Sequence, residues 1–338
     1  MHQLPEDMKN KLQNSRVLVT GGAGFIGSNL IEGLLVQNNE VVCLDNFATG
    51  KKENIANFVN DRNFRLIEGD IRRLDVCRQA CDGIDYVLHQ AALCSVPRSI
   101  KDPVTSAEVN IMGSLNVLLA ACEAKVKRFV YAASSSTYGD SQSLPKVEDK
   151  IGKPLSPYAI TKYVNELFAD NFSKLYGVQT IGLRYFNVYG KRQDPLGAYS
   201  AVVPKFFVSL IKHESPVING DGSHSRDFTY ISDVVQANQL AALAENPEAV
   251  NTVYNIAYGA KTTLNELFLA IRTNLSRHDG EISKIEPVYG TERIGDIPHS
   301  LANTDKAKNL LGYKPEFNIN AGLAETAEWY WHNFHSNR

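Results

Sequence analysis

The chain has 338 residues, 43% of them hydrophobic, enough to bury a sizeable core and to form two domains. Its 35 Lys and Arg nearly balance 37 Asp and Glu, which excludes a bulk electrostatic pull toward nucleic acid or an anionic membrane surface. The five cysteines, Cys43, Cys77, Cys81, Cys94 and Cys122, contain no CxxC pair and no zinc-type Cys/His spacing, so they read as reduced thiols of a cytoplasmic protein without a metal. The opening residues lack a basic start and an apolar signal core, and no apolar run approaches the roughly 20 residues that span a bilayer, so neither export nor membrane insertion is expected.

In chain order, residues 5–14 are polar and predict a short extra helix. Arg16–Thr20 is a β-branched run ending in glycines, and Phe25, Ile26, Leu30, Leu34 and Leu35 recur near the 3.6 period, predicting a helix over 25–38. Short apolar runs follow at Glu40–Asp45, Phe64–Glu68, Tyr86–His89, Phe129–Ala133 and Gln179–Arg184, separated by helix-length segments. Alternating strands and helices of this kind predict an α/β fold with a doubly wound parallel sheet, its strands buried on both faces. After about residue 186 Pro, Gly and Asn become more frequent, and a smaller mixed α/β substrate domain is expected there. Val253–Ile256 reads as one more sheet strand. The expected division is 1–186 plus about 232–258 for the first domain, and 187–231 plus about 259–338 for the second.

Gly21, Gly24 and Gly27 follow the first strand and open the first helix. About twenty residues on, Asp45 ends the second strand, which is the spacing of a dinucleotide fingerprint. Gly21 makes the turn, Gly24 lets the backbone approach a pyrophosphate, and Gly27 lets helix and strand pack closely. The helix N-terminus, at Phe25 and Ile26, offers free N–H groups and a positive dipole end to the phosphates. Asp45 accepts from the ribose hydroxyls and repels a 2′-phosphate; with Asn46 after it rather than Arg, the expected cofactor is NAD. Cys43, inside the second strand, reads as core.

Tyr158 and Lys162 are four apart, so a helix over 157–175 places both on one face, with Pro157 in its first turn and Ser156 as its cap. A free tyrosine titrates near pH 10, and a neighbouring ammonium together with a positive nicotinamide ring would make it a usable base. Ser134, in a run of hydroxyls directly after a strand, can share the substrate proton.

These elements, with Gly69-Asp70-Ile71, His89-Gln90-Ala91-Ala92, Arg184-Tyr185-Phe186-Asn187, Asn219-Gly220-Asp221-Gly222, Arg226-Asp227-Phe228 and Arg293-x-Gly295-Asp296, cover nearly the whole chain. It resembles the extended short-chain dehydrogenases/reductases of the nucleotide-sugar branch. The resemblance implies an NAD-binding Rossmann domain, a UDP-sugar held against a smaller C-terminal domain, and a homodimer. It implies that Asp70 and Ile71 meet the adenine, that Gln90, Ala91, Ala92 and Leu93 line the cofactor with Thr49 and Gly50, and that Tyr185 sits near the nicotinamide. Asn187, Val203, Lys205, Asn219, Arg226, Arg293 and Asp296 are expected to hold the nucleotide diphosphate, for which guanidinium donors are suited. The dimer would join helices at about 103–124 and 157–176, with Val104, Leu115, Leu118, Leu119, Leu167, Phe168 and Phe172 available either for that seam or for the chain's own sheet.

The family's 4,6-dehydratases carry Thr-Asp-Glu where this chain has Ser134-Ser135-Ser136, and its UDP-glucuronate decarboxylases carry Glu at the position of Ser136. Neither carboxylate is present, which leaves 4-epimerisation. Ser95-Val96-Pro97-Arg98-Ser99, the serine run and Leu155-Ser156-Pro157-Tyr158-Ala159 resemble the bacterial UDP-N-acetylglucosamine 4-epimerases of surface-polysaccharide synthesis, in which Ser95, Ser134 and Ser135 would face the sugar. Members of that group carry Gly where this chain has Cys94. Ser300 falls where epimerases restricted to UDP-glucose and UDP-galactose carry a bulky Tyr, and so implies room for a 2-acetamido group. UDP-N-acetylglucosaminuronate and UDP-glucose remain alternative substrates, and an NAD-binding regulator is the non-enzymatic alternative.

Overall fold

The computed structural model describes residues 11–197, 200–292 and 297–335. Seven parallel strands form one sheet: β1 (Arg16–Thr20), β2 (Glu40–Asp45), β3 (Phe64–Glu68), β4 (Tyr86–His89), β5 (Arg128–Ser134), β6 (Thr180–Tyr185) and β7 (Thr252–Ile256). Their spatial order is β3-β2-β1-β4-β5-β6-β7, with the reversal between β1 and β4 where dinucleotide folds open a crevice. The seventh strand pairs with β6 in parallel, Ile256 opposite Tyr185, so the chain returns to the first sheet as Val253–Ile256 predicted.

One prediction about the strands holds only in the middle of the sheet. β1, β2 and β6 are buried along almost their whole length, but β3 is an edge strand and exposes Arg65, Leu66 and Glu68. An edge strand has a neighbour on one side only, and charged side chains there discourage pairing with a further strand. The helix predicted at 5–14 is absent from its described part: residues 11–14 are irregular, and Leu12 is buried, its carbonyl accepting from Asn39 Nδ2 at 2.7 Å. Residues 5–10 lie outside the described residues.

The helices are α1 (Phe25–Val36), α2 (Leu74–Cys81), α3 (Val96–Lys101), α4 (Pro103–Glu123), α5 (Pro157–Tyr176), α6 (Val202–Ile211), α7 (Ile231–Leu243), α8 (Leu264–Leu275), α9 (Asp305–Leu311) and α10 (Ile319–Phe334). α4 is long and apolar enough to cross a membrane by length and composition alone, against the expectation that no apolar run approaches that length. In the fold its Ser114, Val117, Leu118, Ala120 and Ala121 are buried against the sheet. α5 starts as its sequence specifies: Ser156 Oγ accepts the Ala159 N–H at 3.1 Å, Pro157 fills the first turn, and Gly177 ends the helix at φ 73°.

Two buried clusters lie on opposite faces of the sheet. Leu18, Val87, Val117, Phe129 and Phe172 belong to one. The other runs without a break from Val17, Leu30 and Cys43 through Val234 on α7 to Phe207, Leu267 and Tyr330 of the second half. Helix α7 therefore couples the two halves, because its apolar residues pack on α1's side of the sheet and on the later helices at once. Of the apolar residues considered for a dimer seam, Leu118 and Phe172 belong to the chain's own core and Leu115, Leu119 and Phe168 pack against it, whereas Val104 and Leu167 are exposed.

Candidate active site

The glycine turn has the form a diphosphate requires. Gly21 adopts φ 67°, a left-handed conformation, and a Cβ there would come within 2.8 Å of the Ala91 backbone. A Cβ on Gly27 would stand 2.2 Å from the Gly21 carbonyl oxygen, so helix and turn touch only because both are glycine. Gly24 is the N-cap of α1 with no capping side chain, and the first turn carries no acidic residue. The N–H groups of Phe25 and Ile26 thus face outward with a positive dipole end behind them.

Asp45 ends β2 beside this turn. Its carboxylate accepts the Ala23 N–H at 2.9 Å and the Phe47 N–H at 2.8 Å, which braces the turn while lone pairs remain for hydroxyl donors. Burial raises its pKa, opposed by those backbone bonds. Gly50 lies against it, a Cβ there falling 3.0 Å from Asp45 Oδ1, and Thr49 is exposed nearby in sequence. Asn46 Nδ2 donates to Asp70 Oδ2 at 3.0 Å, and Arg72 also clasps Asp70, holding its pKa down to about 2. Asn46 and Asp70, expected at the ribose and the adenine, are therefore neighbours across the ends of β2 and β3. Ile71 is buried beneath α4, where a Cβ on Gly113 would collide with it at 2.6 Å.

Ala91 and Ala92 lie half-buried after β4. Gln90 Oε1 accepts from the Tyr185 hydroxyl at 3.2 Å, and Asn238 Nδ2 of α7 donates to that hydroxyl at 2.9 Å. This triangle fixes the Tyr185 ring at the C-terminal end of β6, and burial pushes its phenol pKa far up, so it stays neutral.

Tyr158, Lys162 and Ser134, expected from the sequence to be the reactive group, lie together. Lys162 lies on the same face of α5 as Tyr158, but its ammonium donates to the Ala132 carbonyl at 2.9 Å and stands 6.0 Å from the Tyr158 ring centre. The Tyr158 pKa is raised well above the ordinary phenol value, first by burial and then by the Cys94 thiol 4.0 Å from its hydroxyl; a hydrogen bond with Ser134 pulls it down. Ser134 is buried at the end of β5, its Oγ accepting from Ser136 Oγ at 2.9 Å, and Ser135 is half-buried beside it. Ser95 serves as the N-cap of α3, accepting the Arg98 N–H at 3.1 Å.

In the second half, Arg226 Nη1 donates to the Ser225 carbonyl at 3.0 Å and the Pro298 carbonyl at 3.2 Å, and the Ser300 N–H donates to Ser225 at 3.1 Å. Arg226 and Ser300 are thus held on adjoining strands of chain. Asn187, at φ 33°, donates to the Asp227 carbonyl at 3.1 Å. Asn219 is half-buried at the end of a short strand, Val203 is buried in α6 and Lys205 is exposed two residues further on. Arg293 and Asp296 lie outside the described residues.

Three supporting residues escaped the sequence reading. Asn110, fully buried in the π-helical stretch Glu108–Gly113 of α4, accepts the Leu93 N–H at 2.8 Å and donates to Thr161 Oγ1 at 3.2 Å, tying the Cys94 loop to the catalytic helix. Asp227, buried and raised to about 6 by desolvation, accepts from Gly259 and Ala302 N–H groups beneath Arg226. His89 bridges Thr20 Oγ1 at 2.7 Å and Ser114 Oγ at 2.9 Å, and burial holds it neutral with a pKa of about 3. His89 and Asp227 stand inside motifs quoted from the sequence and Asn110 in an apolar run, but their roles depend on partners distant in sequence.

A phosphate-cradling turn at the switch point, an acid at the second strand and a Tyr/Lys/Ser group on the adjoining helix and strand define a nicotinamide-dependent enzyme of the short-chain dehydrogenase type. The sequence profile of the NAD dependent epimerase/dehydratase family matches residues 17–257, and the chain belongs to that family. Its UDP-glucose 4-epimerase relative from Mycolicibacterium smegmatis is 34% identical, covering 93% of this chain and 98% of the relative. The structure of the UDP-N-acetylglucosamine 4-epimerase from Methanobrevibacter ruminantium in complex with UDP-N-acetylmuramic acid superposes with a TM-score of 0.88 at 38% identity, covering 95% of this chain and 99% of that one. That of the UDP-glucuronic acid 4-epimerase from Bacillus cereus, with UDP-glucuronic acid and NAD, gives 0.83 at 31%, covering 94% and 99%. Within the family the chain groups with the NAD-dependent UDP-sugar 4-epimerases.

Proposed function

We propose that the protein interconverts UDP-N-acetylglucosamine and UDP-N-acetylgalactosamine by epimerisation at C4. The observation that carries this reading is the hydroxyl run Ser134, Ser135 and Ser136, which holds no carboxylate and whose Ser134 hydrogen-bonds Tyr158. Elimination of water or loss of a carboxyl group needs more acid–base groups than that; moving one proton and one hydride does not.

Bound NAD would supply a hydride acceptor and donor for C4 and be regenerated in each turnover. Phe25 and Ile26 N–H groups would hold its diphosphate and Asp45 its ribose. Tyr158 removes the proton of the C4 hydroxyl and later restores it. Ser134 hydrogen-bonds the same hydroxyl and stabilises the phenolate, and Lys162 adds positive charge near the ring while anchored on Ala132. Arg226 holds the nucleotide diphosphate, and the small Ser300 beside it leaves space for a 2-acetamido group.

Coupled assays on UDP-N-acetylglucosamine, UDP-glucose, UDP-N-acetylglucosaminuronate and UDP-glucuronate test the reading; equilibration of none of them would sink it. The division into a cofactor domain and a UDP-sugar domain belongs to the same proposal, as does a homodimer. The exposed apolar residues Ile100, Val104, Met112, Ile160 and Leu167 on α3, α4 and α5 support the dimer. Light scattering checks it, and a clean monomer would contradict it.

A further inference from the structure

A segment of the second half of the chain crosses back over the first. It leaves the short strand Val188–Tyr189 at Gly190, whose φ of 149° brings the backbone so close to α7 that a Cβ would stand 2.4 Å from Ile231 Cγ2. Arg192 follows at φ 68°, a left-handed conformation that is unfavourable for a residue with a side chain. Backbone held in this way persists where surrounding contacts fix it. Here the contacts are with α1, since Arg192 Nη2 and Lys191 Nζ both donate to Glu32 Oε2, at 2.5 and 2.7 Å. The Tyr330 hydroxyl of α10 donates to the Gln193 carbonyl between them and Asp194.

The two ends of this segment are fastened on either side of the glycine turn. Asn29 Nδ2 donates to the Phe25 carbonyl at 2.8 Å and to the Lys191 carbonyl at 3.2 Å, so the segment starts one helical turn from the N-terminus of α1. Three residues on, Asp194 Oδ1 accepts from Lys51 Nζ at 2.8 Å. Lys51 is itself tied to the turn: its N–H donates to the Ala23 carbonyl at 3.0 Å, and Gly50 before it lies against Ala23 and Asp45. Residues 191–194 therefore run from the helix side of the phosphate cradle to its loop side.

We propose that residues 191–194 are a strap that retains NAD, with Glu32 and Asp194 as positioning residues that fasten its ends to α1 and to Lys51 across the diphosphate. The proposal rests on the reading that the Phe25 and Ile26 N–H groups hold that diphosphate. A cofactor regenerated in each turnover has no need to leave, so a device that slows its escape does not slow the reaction. Escape requires both ion-paired fastenings to open, and their contribution therefore falls on the dissociation rate.

The test is the dissociation rate of radiolabelled NAD from the loaded full chain in a chase of unlabelled NAD. Asp194→Asn keeps the Oδ1 that accepts the Leu196 N–H at 3.0 Å and removes only the charge. It should speed release by about two- to fivefold, the range for a partly exposed ion pair, and Glu32→Gln, which uncouples two cations, by at least as much. Raising the ionic strength should speed release from the wild type and affect the double variant less. Exchanging the charges, Lys51→Asp with Asp194→Lys, should return release to near the wild-type rate, which a general loosening of the fold would not do. Release at the wild-type rate from both single variants overturns the strap, as does a charge exchange that releases NAD as fast as Asp194→Asn. A wild-type protein that holds no NAD at all would overturn the cradle and the strap with it; NAD bound by every variant and released at one rate separates the two failures.

Discussion

The Cys94 thiol stands 4.0 Å from the Tyr158 hydroxyl, across 64 residues of sequence, and it pushes the phenol pKa in the direction opposite to Ser134. A base acts only when deprotonated, and the Tyr158 phenol is held above its ordinary value, so turnover should rise with pH toward the alkaline range as the phenolate fills. Cys94→Ala removes an upward push and should move that rise to lower pH. Ser134→Ala removes a downward pull and should move it to higher pH. The pH dependence of kcat/KM checks both, and superimposable profiles for wild type and Cys94→Ala would contradict the assignment.

Tyr158→Phe removes the proton-transfer group and leaves the glycine turn and Asp45 untouched. Turnover should fall by about 10²- to 10⁴-fold, the usual worth of a positioned acid–base group. NAD should remain bound, as read by the absorbance of the purified protein. Retention of wild-type turnover would remove Tyr158 from the mechanism.

Gly27→Ala places a Cβ 2.2 Å from the Gly21 oxygen and 2.7 Å from Gly22 Cα, both backbone atoms that cannot turn aside. Overpacking of this kind costs about 1–3 kcal/mol and displaces the turn that would hold the diphosphate. The expected result is a lower Tm and weaker NAD retention; an unchanged NAD affinity would show that helix and turn can separate without harm.

Arg184 and Glu166 form a buried bidentate pair, with N–O distances of 2.9 and 2.7 Å, between β6 and the helix that carries Tyr158. Glu166→Ala leaves the guanidinium buried without a carboxylate, with the Glu148 carbonyl and Tyr138 as remaining partners. Chemical denaturation should record a loss of about 3–5 kcal/mol. A loss below about 1 kcal/mol would mean that water or a rearranged neighbour takes the place of the carboxylate.

Ser300→Tyr introduces a large ring beside the Ser225 and Arg226 backbone. The reading of Ser300 as room for an acetamido group expects kcat/KM to drop more for UDP-N-acetylglucosamine than for UDP-glucose. An equal drop for both would refute it.

The central sheet was legible because its strands are short apolar runs separated by helical lengths, and a strand buried on both faces has to be apolar throughout. β3 departed from that expectation because it became the edge, and which strand lies outermost depends on the order of pairing, not on local sequence. The segment 11–14 departed because the side chain of Leu12 found a place in the core, a tertiary contact that overrides a weak helical preference.

Local physics decided by sequence alone that Gly21, Gly24 and Gly27 make a tight turn into a helix and that Tyr158 and Lys162 share a face, because a tight turn and a helix repeat are properties of a few consecutive residues. Only the tertiary structure decided that Lys162 points at Ala132, that Cys94 meets Tyr158, and that Asp194 meets Lys51. Those relationships join residues tens to more than a hundred positions apart. They exist only once the sheet and the second half have closed around a common core.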